Sequence, residues 1–138
     1  MTDTHLFTWQ PQYSVGIDAI DRQHQTLVGL IRQLQEAMEE GRGRAFQSTL
    51  IEQLVAYTSK HFRFEENLMT MRRYESLAEH IEQHRALTRQ VEELQQKIQA
   101  SETVSNASIM LFLRNWLTDH IMQHDQKYAH AFRIKAKP

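Results

Sequence analysis

The chain has 138 residues, of which 41% are hydrophobic and 24% are charged, and its formal net charge is −1. These values describe one globular domain with a core of its own, and they give no electrostatic reason to expect a nucleic acid or an anionic membrane as partner. The absence of cysteine excludes disulfides, thiolate catalysis, iron–sulfur clusters and zinc-finger sites.

An irregular N-terminal arm and four amphipathic helices are predicted along the chain. The arm covers residues 1–17, and its aromatic side chains predict that it lies over the rest of the domain. Helices are predicted at about 18–40, 45–71, 76–100 and 106–132, where apolar residues recur at every third and fourth position. Only four glycines and two prolines punctuate the chain, which favours long helices.

Local signals mark the ends of these helices. Asp18 is predicted to be the N-cap of the first helix, and Gly41 and Gly43 end it. Ser76 and Glu79 have the spacing of a capping box at the start of the third helix. A break is predicted at residues 72–75, a polar loop at 100–106 and a frayed tail at 135–138. Long helices with short connections predict an all-α fold, an up-down-up-down antiparallel four-helix bundle with an N-terminal arm.

Seven polar residues occupy positions that should face the core. A buried imidazole or carboxylate without a partner costs several kcal/mol, so these residues need one another or a ligand. The first and third helices carry theirs near the start, and the second and fourth near the end. In an antiparallel bundle these ends meet, so one layer is predicted to hold all seven: His24, His61, Glu65, His80, His84, His120 and Asp125.

The spacing within each helix suits metal coordination. His61 and Glu65 are four residues apart, as are His80 and His84, and such pairs project to the same side of a helix. His120 and Asp125 are five apart, about 140° around an ideal helix, so they are predicted to flank its inward face. By spacing alone His124, four residues after His120, is the better partner.

The number of candidate ligands implies two metal ions. Five imidazoles and two carboxylates exceed what one tetrahedral or octahedral ion accepts. If both carboxylates bridge, three histidines bind one ion and two bind the other. With one further bridging oxygen, the second ion is five-coordinate and has an open position. These donors suit iron, copper or zinc. The zincin motif HExxH is absent, and so is the Glu-x-x-His of ferritin-type sites.

Four segments in this order resemble the hemerythrin family, specifically its single-domain bacterial form: GIDAIDRQHQTLV, YTSKHFRFEENLM, HIEQHRAL and FLRNWLTDHIMQHDQKY. The resemblance runs from residue 9 to about residue 128, and it favours Asp125 over His124. It implies two iron ions that Glu65, Asp125 and an oxo or hydroxo group bridge. One iron is then bound by His80, His84 and His120, and the other by His24 and His61.

The resemblance also implies a function, the reversible binding of O2 by a carrier, storage or delivery protein that is not an enzyme. The residues that match the family's oxygen pocket would be core in any such bundle: Leu27, Phe62, Trp116, Leu117 and Ile121. An O2 or redox sensor, a di-iron enzyme handling peroxide or nitric oxide, and an iron reservoir are the alternatives. Sensor domains of this type are usually fused to signalling modules, so a single domain favours a carrier. We expect a monomer, with an O2-consuming enzyme as acceptor.

The remaining polar residues and the location complete the expectations. Tyr128 matches the family's pattern, whereas Glu66 and Glu82 are predicted to point into solvent. His5 and His130 are predicted at the surface, and His124 as a bystander or a neighbour of a ligand. The first ten residues are polar, and no window approaches the 18 apolar residues of a membrane span. We therefore expect a cytoplasmic protein.

Overall fold

The computed structural model describes residues 6–100 and 105–136, with side chains up to residue 132. Four long helical rods follow a 3₁₀ turn at Pro11–Tyr13. The first three are α1 (Asp18–Glu39), α2 (Arg44–Met71) and α3 (Leu77–Gln99). The fourth consists of α4 (Asn106–His120), a π-helical segment (Ile121–Asp125) and α5 (Gln126–Ala136). The all-α four-helix bundle predicted from the sequence is confirmed.

The helix ends lie within one residue of the predicted ends, except at the last helix, which extends to Ala136. Gly41 adopts the left-handed conformation, with φ of 73°. The N–H of Arg42 donates to the Ala37 carbonyl at 2.9 Å, and that of Gly41 to the Met38 carbonyl at 3.2 Å. This pair of bonds is a Schellman motif, for which glycine is the favoured residue.

Two predicted capping interactions are wrong in detail. Asp18 is the first helical residue of α1 and not its cap, because the chain turns one residue earlier, at Ile17. Ser76 does precede α3, but its hydroxyl makes no capping hydrogen bond. Asp21, in the first turn of α1, has the structural role instead. Its carboxylate accepts the Val15 N–H at 2.8 Å and the Ser14 hydroxyl at 2.6 Å, and so ties the arm to the bundle.

The N-terminal arm packs alongside α1, from Asp21 near its start to Gln35 near its end, as far as the structure describes it. Phe7 is buried, and its N–H donates to Gln35 Oε1 at 2.9 Å. Trp9 and Tyr13 are half-buried and pack against the core. The part of the arm at residues 1–5, including His5, lies outside the described residues. So do residues 101–104 of the loop predicted at 100–106 and residues 137–138 of the predicted tail. In the described ranges no helix is long and apolar enough to span a membrane.

Candidate metal centre

The bundle brings the seven polar residues together at one end, as their positions in the sequence predict. Each of them is at most 4% exposed. They come from all four rods, with His24 on α1, His61 and Glu65 on α2, His80 and His84 on α3, and His120 and Asp125 on the fourth. The centre therefore links every rod of the fold.

Three histidines gather on one side of the two carboxylates. The Nε2 atoms of His80 and His120 lie 3.1 and 2.9 Å from Asp125 Oδ1. His84 Nε2 lies 3.2 Å from Glu65 Oε1. One ligand atom from each of these five residues lies within 4.8 Å of all the others. This group has the size of a metal site with three imidazoles.

The other two histidines form a second group with the same carboxylates. His24 Nε2 lies 3.0 Å from Asp125 Oδ2 and 3.7 Å from Glu65 Oε2. His61 Nε2 lies 3.2 Å from Glu65 Oε1. These four residues also offer ligand atoms within 4.8 Å of one another. Glu65 and Asp125 thus belong to both groups, which is the geometry of two adjacent metal ions with shared carboxylates.

The polar atoms that face the centre have no hydrogen-bond partners. All five Nε2 atoms are buried and unpaired, and so are Glu65 Oε1 and both carboxylate oxygens of Asp125. A buried polar atom left unpaired costs about 1–3 kcal/mol, so eight in one place are not expected of an ordinary core. Imidazole nitrogens and carboxylate oxygens are ligands for iron, zinc and copper. The residues present therefore fit a pair of metal ions.

Side chains outside the centre orient two of the imidazoles. His84 Nδ1 lies 2.7 Å from Glu66 Oε2, and His61 Nδ1 lies 2.6 Å from Gln23 Oε1. An imidazole that donates from Nδ1 presents the lone pair of Nε2 to a metal. The prediction that Glu66 points into solvent is wrong, because the close packing of α2 on α3 lets its carboxylate reach His84. The sequence did not predict a role for Gln23. Its position directly before His24 is the one feature that indicates a place near the centre.

The other polar predictions have mixed outcomes. Glu82 is exposed and lies 2.7 Å from Arg85, and His130 is exposed, both as predicted. Tyr128 is fully buried, and its hydroxyl donates to Glu65 Oε2 at 2.5 Å. Burial, together with the charges of Glu65 and Asp125, raises the pKa of Tyr128, so the phenol keeps its proton and holds one oxygen of Glu65.

The two carboxylates of the centre and the imidazole of His24 stabilise each other's charged forms. Burial alone would raise the pKa of Glu65 and Asp125, but the surrounding histidines lower the pKa of both carboxyls well below the usual range. Burial alone would lower the pKa of His24, but the adjacent carboxylates of Asp125 and Glu65, 3.0 and 3.7 Å from its Nε2 atom, raise it to about 10. Two ionised carboxylates in a buried site are therefore maintained by cationic or metal-bound neighbours.

The π-helical segment explains how residues five apart reach the same site. The N–H of Gln126 bonds to the Ile121 carbonyl, five residues back, which is the register of a π-helix. His120 Nε2 and Asp125 Oδ1 are consequently in contact, at 2.9 Å. The prediction that they flank the inward face about 140° apart assumed ideal α-helical geometry, and it is corrected by this wider turn.

The same turn places His124 away from the centre. It is partly exposed and belongs to neither group of potential ligands, although its ring centroid lies 5.5 Å from that of His120. Burial and the nearby charges of His120 and His80 lower its pKa. His124 is thus a neighbour of a potential ligand.

The five residues predicted to line an oxygen pocket are all buried members of the main core: Leu27, Phe62, Trp116, Leu117 and Ile121. The Phe62 ring stacks on His84, with centroids 3.8 Å apart and planes 5° from parallel. The Trp116 indole N–H donates to the Leu87 carbonyl at 3.0 Å, which fixes the orientation of its ring. Ile121 is the first residue of the π-helical segment.

Comparison with known proteins agrees with this architecture. The family model described as "Hemerythrin HHE cation binding domain" matches residues 15–132. The chain is 36% identical over 124 residues to a bacteriohemerythrin of Stenotrophomonas maltophilia, covering 90% of this chain and 80% of the relative. It is 37% identical over 129 residues to a bacteriohemerythrin of Pseudomonas aeruginosa, covering 94% of this chain and 82% of the relative.

The fold has a counterpart among solved structures. A crystal structure of wild-type hemerythrin superposes with a TM-score of 0.82 at 29% identity, and the match covers 90% of this chain and 95% of that one. The family match includes the first three helices, the last helix as far as residue 132 and every residue of the buried His/Glu/Asp centre. The chain therefore belongs to the hemerythrin family.

Proposed function

We propose that the protein holds two iron ions in this centre and binds O2 reversibly. The observation that carries the proposal is the set of five unpaired Nε2 atoms around two shared carboxylates. In the proposed assignment His80, His84 and His120 bind one iron, and His24 and His61 the other. Glu65 and Asp125 bridge the pair, together with an oxo or hydroxo group.

The division into three and two histidines supports the binding of a small ligand. With shared bridges, the iron that has two imidazoles receives one protein ligand fewer than its neighbour. The ion held by His24 and His61 would therefore be the one that binds O2. When bound, the iron pair supplies the electrons that O2 binding requires.

The surrounding side chains support reversible binding over turnover. Leu27, Phe62, Trp116, Leu117 and Ile121 form a dry wall that limits the access of water and protons to bound oxygen. The site has only two carboxylates beside five imidazoles, so it donates less negative charge to the irons than carboxylate-rich di-iron sites do. This difference favours the binding of O2 over cleavage of the O–O bond. We therefore propose a carrier, storage or delivery protein. A sensor, or an enzyme handling peroxide or nitric oxide, is the alternative.

Metal analysis and one optical experiment test the proposal. Protein expressed with added iron is expected to contain two irons per chain and no haem, because seven ligands exceed one ion. After reduction, exposure to air should produce a new spectrum that persists and is reversed when O2 is removed. One zinc per chain, or no metal, would contradict the iron pair. Rapid consumption of O2 without a lasting oxygenated spectrum would favour the enzyme instead.

A further inference from the structure

A cavity of about 390 Å³ opens between α2 and α3, beside the candidate metal centre. Phe62 and His84, whose rings stack on each other, lie at its floor. Arg63 of α2 and Arg85 and Arg89 of α3 line it as well. We call it the arginine cavity. Sites for small organic molecules occupy roughly 300–1,000 Å³, so this cavity has room for a molecule and not only for a single ion.

The arginine cavity carries more positive than negative charge, because three arginines and one carboxylate, that of Glu66, line it. The guanidinium group of Arg85 lies 2.7 Å from Glu82 Oε1 and is partly neutralised. Arg63 and Arg89, by contrast, form no ion pair with the residues that the structure describes. Guanidinium groups bind carboxylates and phosphates through paired hydrogen bonds. These two arginines therefore favour an anionic ligand.

A second cavity provides an internal comparison. It has a volume of about 250 Å³, and its lining includes Trp116, His120 and Asp119 but neither arginine nor lysine. The arginine cavity therefore carries more positive charge than this second cavity beside the metal centre. Phe62 and Ile81 add an aromatic and an aliphatic side chain to the arginine cavity, which favours a ligand with an apolar body.

We propose that the arginine cavity binds a small organic anion, with a phosphate or carboxylate group on an apolar body. Glu66 connects this site to the metal centre, because it lines the cavity and its Oε2 atom lies 2.7 Å from His84 Nδ1. A bound anion repels the Glu66 carboxylate and so perturbs the imidazole that Glu66 orients. Linkage is reciprocal, so the state of the metal changes the affinity for the anion. This second part rests on the proposed function.

Calorimetric titration of the iron-loaded protein tests the site. Phenyl phosphate and benzoate place a phosphate or a carboxylate on the same ring, whereas inorganic phosphate and benzyl alcohol offer the charge or the ring alone. Phenyl phosphate or benzoate should bind more tightly than inorganic phosphate and more tightly than benzyl alcohol. The double variant Arg63→Gln/Arg89→Gln should lower that affinity at least ~10-fold, because charge-assisted hydrogen bonds are lost. Arg32→Gln, which removes an exposed arginine from α1, should not change it.

Three results would overturn the inference. The first is that neither ring anion binds more tightly than its parts. The second is that binding persists in the double variant, which would mean that the anion coordinates iron directly. The third is that only an acidic peptide such as polyglutamate binds, which would make the arginines a protein-docking surface. Both arginines are exposed and glutamine is a good helix former, so the variant should fold, as circular dichroism would verify.

Iron analysis of the same samples separates this inference from the proposed function. Protein with two irons per chain that ignores both ring anions contradicts the inference alone. Protein without the iron pair that still binds a ring anion through Arg63 and Arg89 contradicts the proposed function alone. A shift of the optical spectrum on addition of the anion, present in the Arg32→Gln control and absent in the double variant, is expected if the linkage through Glu66 exists.

Discussion

Two imidazoles of the centre are held from outside by side chains of different charge. Glu66 offers a carboxylate to His84, whereas Gln23 offers an amide oxygen to His61. A carboxylate behind a ligating imidazole raises its basicity more than an amide does. We therefore expect His84 to be the stronger donor of the two, on the side of the centre with three histidines.

Replacing Glu66 tests this role. Glu66→Gln keeps an acceptor near His84 Nδ1 but removes the charge, and we expect iron to bind about 10-fold more weakly, in the range typical of such contacts. Competition with a chelator measures the change. Glu82→Gln is the matched control, since Glu82 lies on the surface and pairs with Arg85. Equal iron retention in both variants would assign Glu66 no part in orienting His84.

Asp125 and His124 are neighbours in the sequence, but their substitution by alanine is expected to affect iron binding differently. Asp125→Ala should deplete iron and abolish the oxygenated spectrum, because its two oxygens contact histidines of both groups. His124→Ala should leave both nearly intact, because a neutral imidazole outside the ligand groups cannot bridge two ions. Iron content and the optical spectrum of the two variants decide the question. The opposite outcome would require the ligand set and the assignment of O2 binding to be withdrawn.

At the scale of the element, the π-helical segment determines how the last helix presents two residues of the centre. A π register is rare, occurs mostly as a single turn within an α-helix and is frequent at functional sites. Here it brings His120 and Asp125 into contact across five residues, and it directs Met122 outward, where it is 45% exposed. Contacts of Asp125 with histidines of α1 and α3 stabilise this turn against the ordinary α-helical register.

Removing one residue from this segment tests its role. Deletion of Met122 leaves His120 and Asp125 four apart, and the contacts that favour the π register cannot all form. We expect loss of at least one iron per chain, measured by metal analysis. Met122→Ala keeps the spacing of five and should keep both irons. Two irons in the deletion variant would show that an α-helical turn positions Asp125 equally well.

At the scale of the whole molecule, the centre is a cross-link between all four rods. Each rod contributes at least one of the seven polar residues of the centre. A metal that binds only the folded protein stabilises the folded state. Without metal, these seven buried polar side chains have mainly one another as partners. Stability and metal content are therefore expected to change together.

Metal removal and one substitution test this coupling. Protein stripped of iron should melt at a lower temperature than the iron-loaded form, in a calorimetric scan of both. Glu65→Ala should lose at least one iron and also melt earlier, because a shared carboxylate disappears and the metal charge is less neutralised. Glu52→Ala, an exposed position on the same helix, should match the unmodified protein. Identical melting temperatures with and without metal would contradict the coupling.

Helical periodicity made much of this centre visible in the sequence. His24 shares the apolar stripe of α1, and the pairs His61/Glu65 and His80/His84 are one helical turn apart. Because the face of a helix is determined by local spacing, these residues could be assigned to the core before the structure was known. The antiparallel arrangement then predicted that they share one layer, and the seven residues are buried together as expected.

The sequence by itself thus determined the four-helix bundle, the layer of buried polar side chains and the seven residues in that layer. These follow from the helical spacing of apolar residues, which is visible in each helix separately. Only the tertiary structure decided the π register at residues 121–125, the contact of Glu66 with His84 and that of Gln23 with His61. The π register is stabilised by contacts that Asp125 makes with other helices, and the two outer contacts depend on how closely neighbouring helices pack. Such interactions between helices leave no periodic signal in the chain.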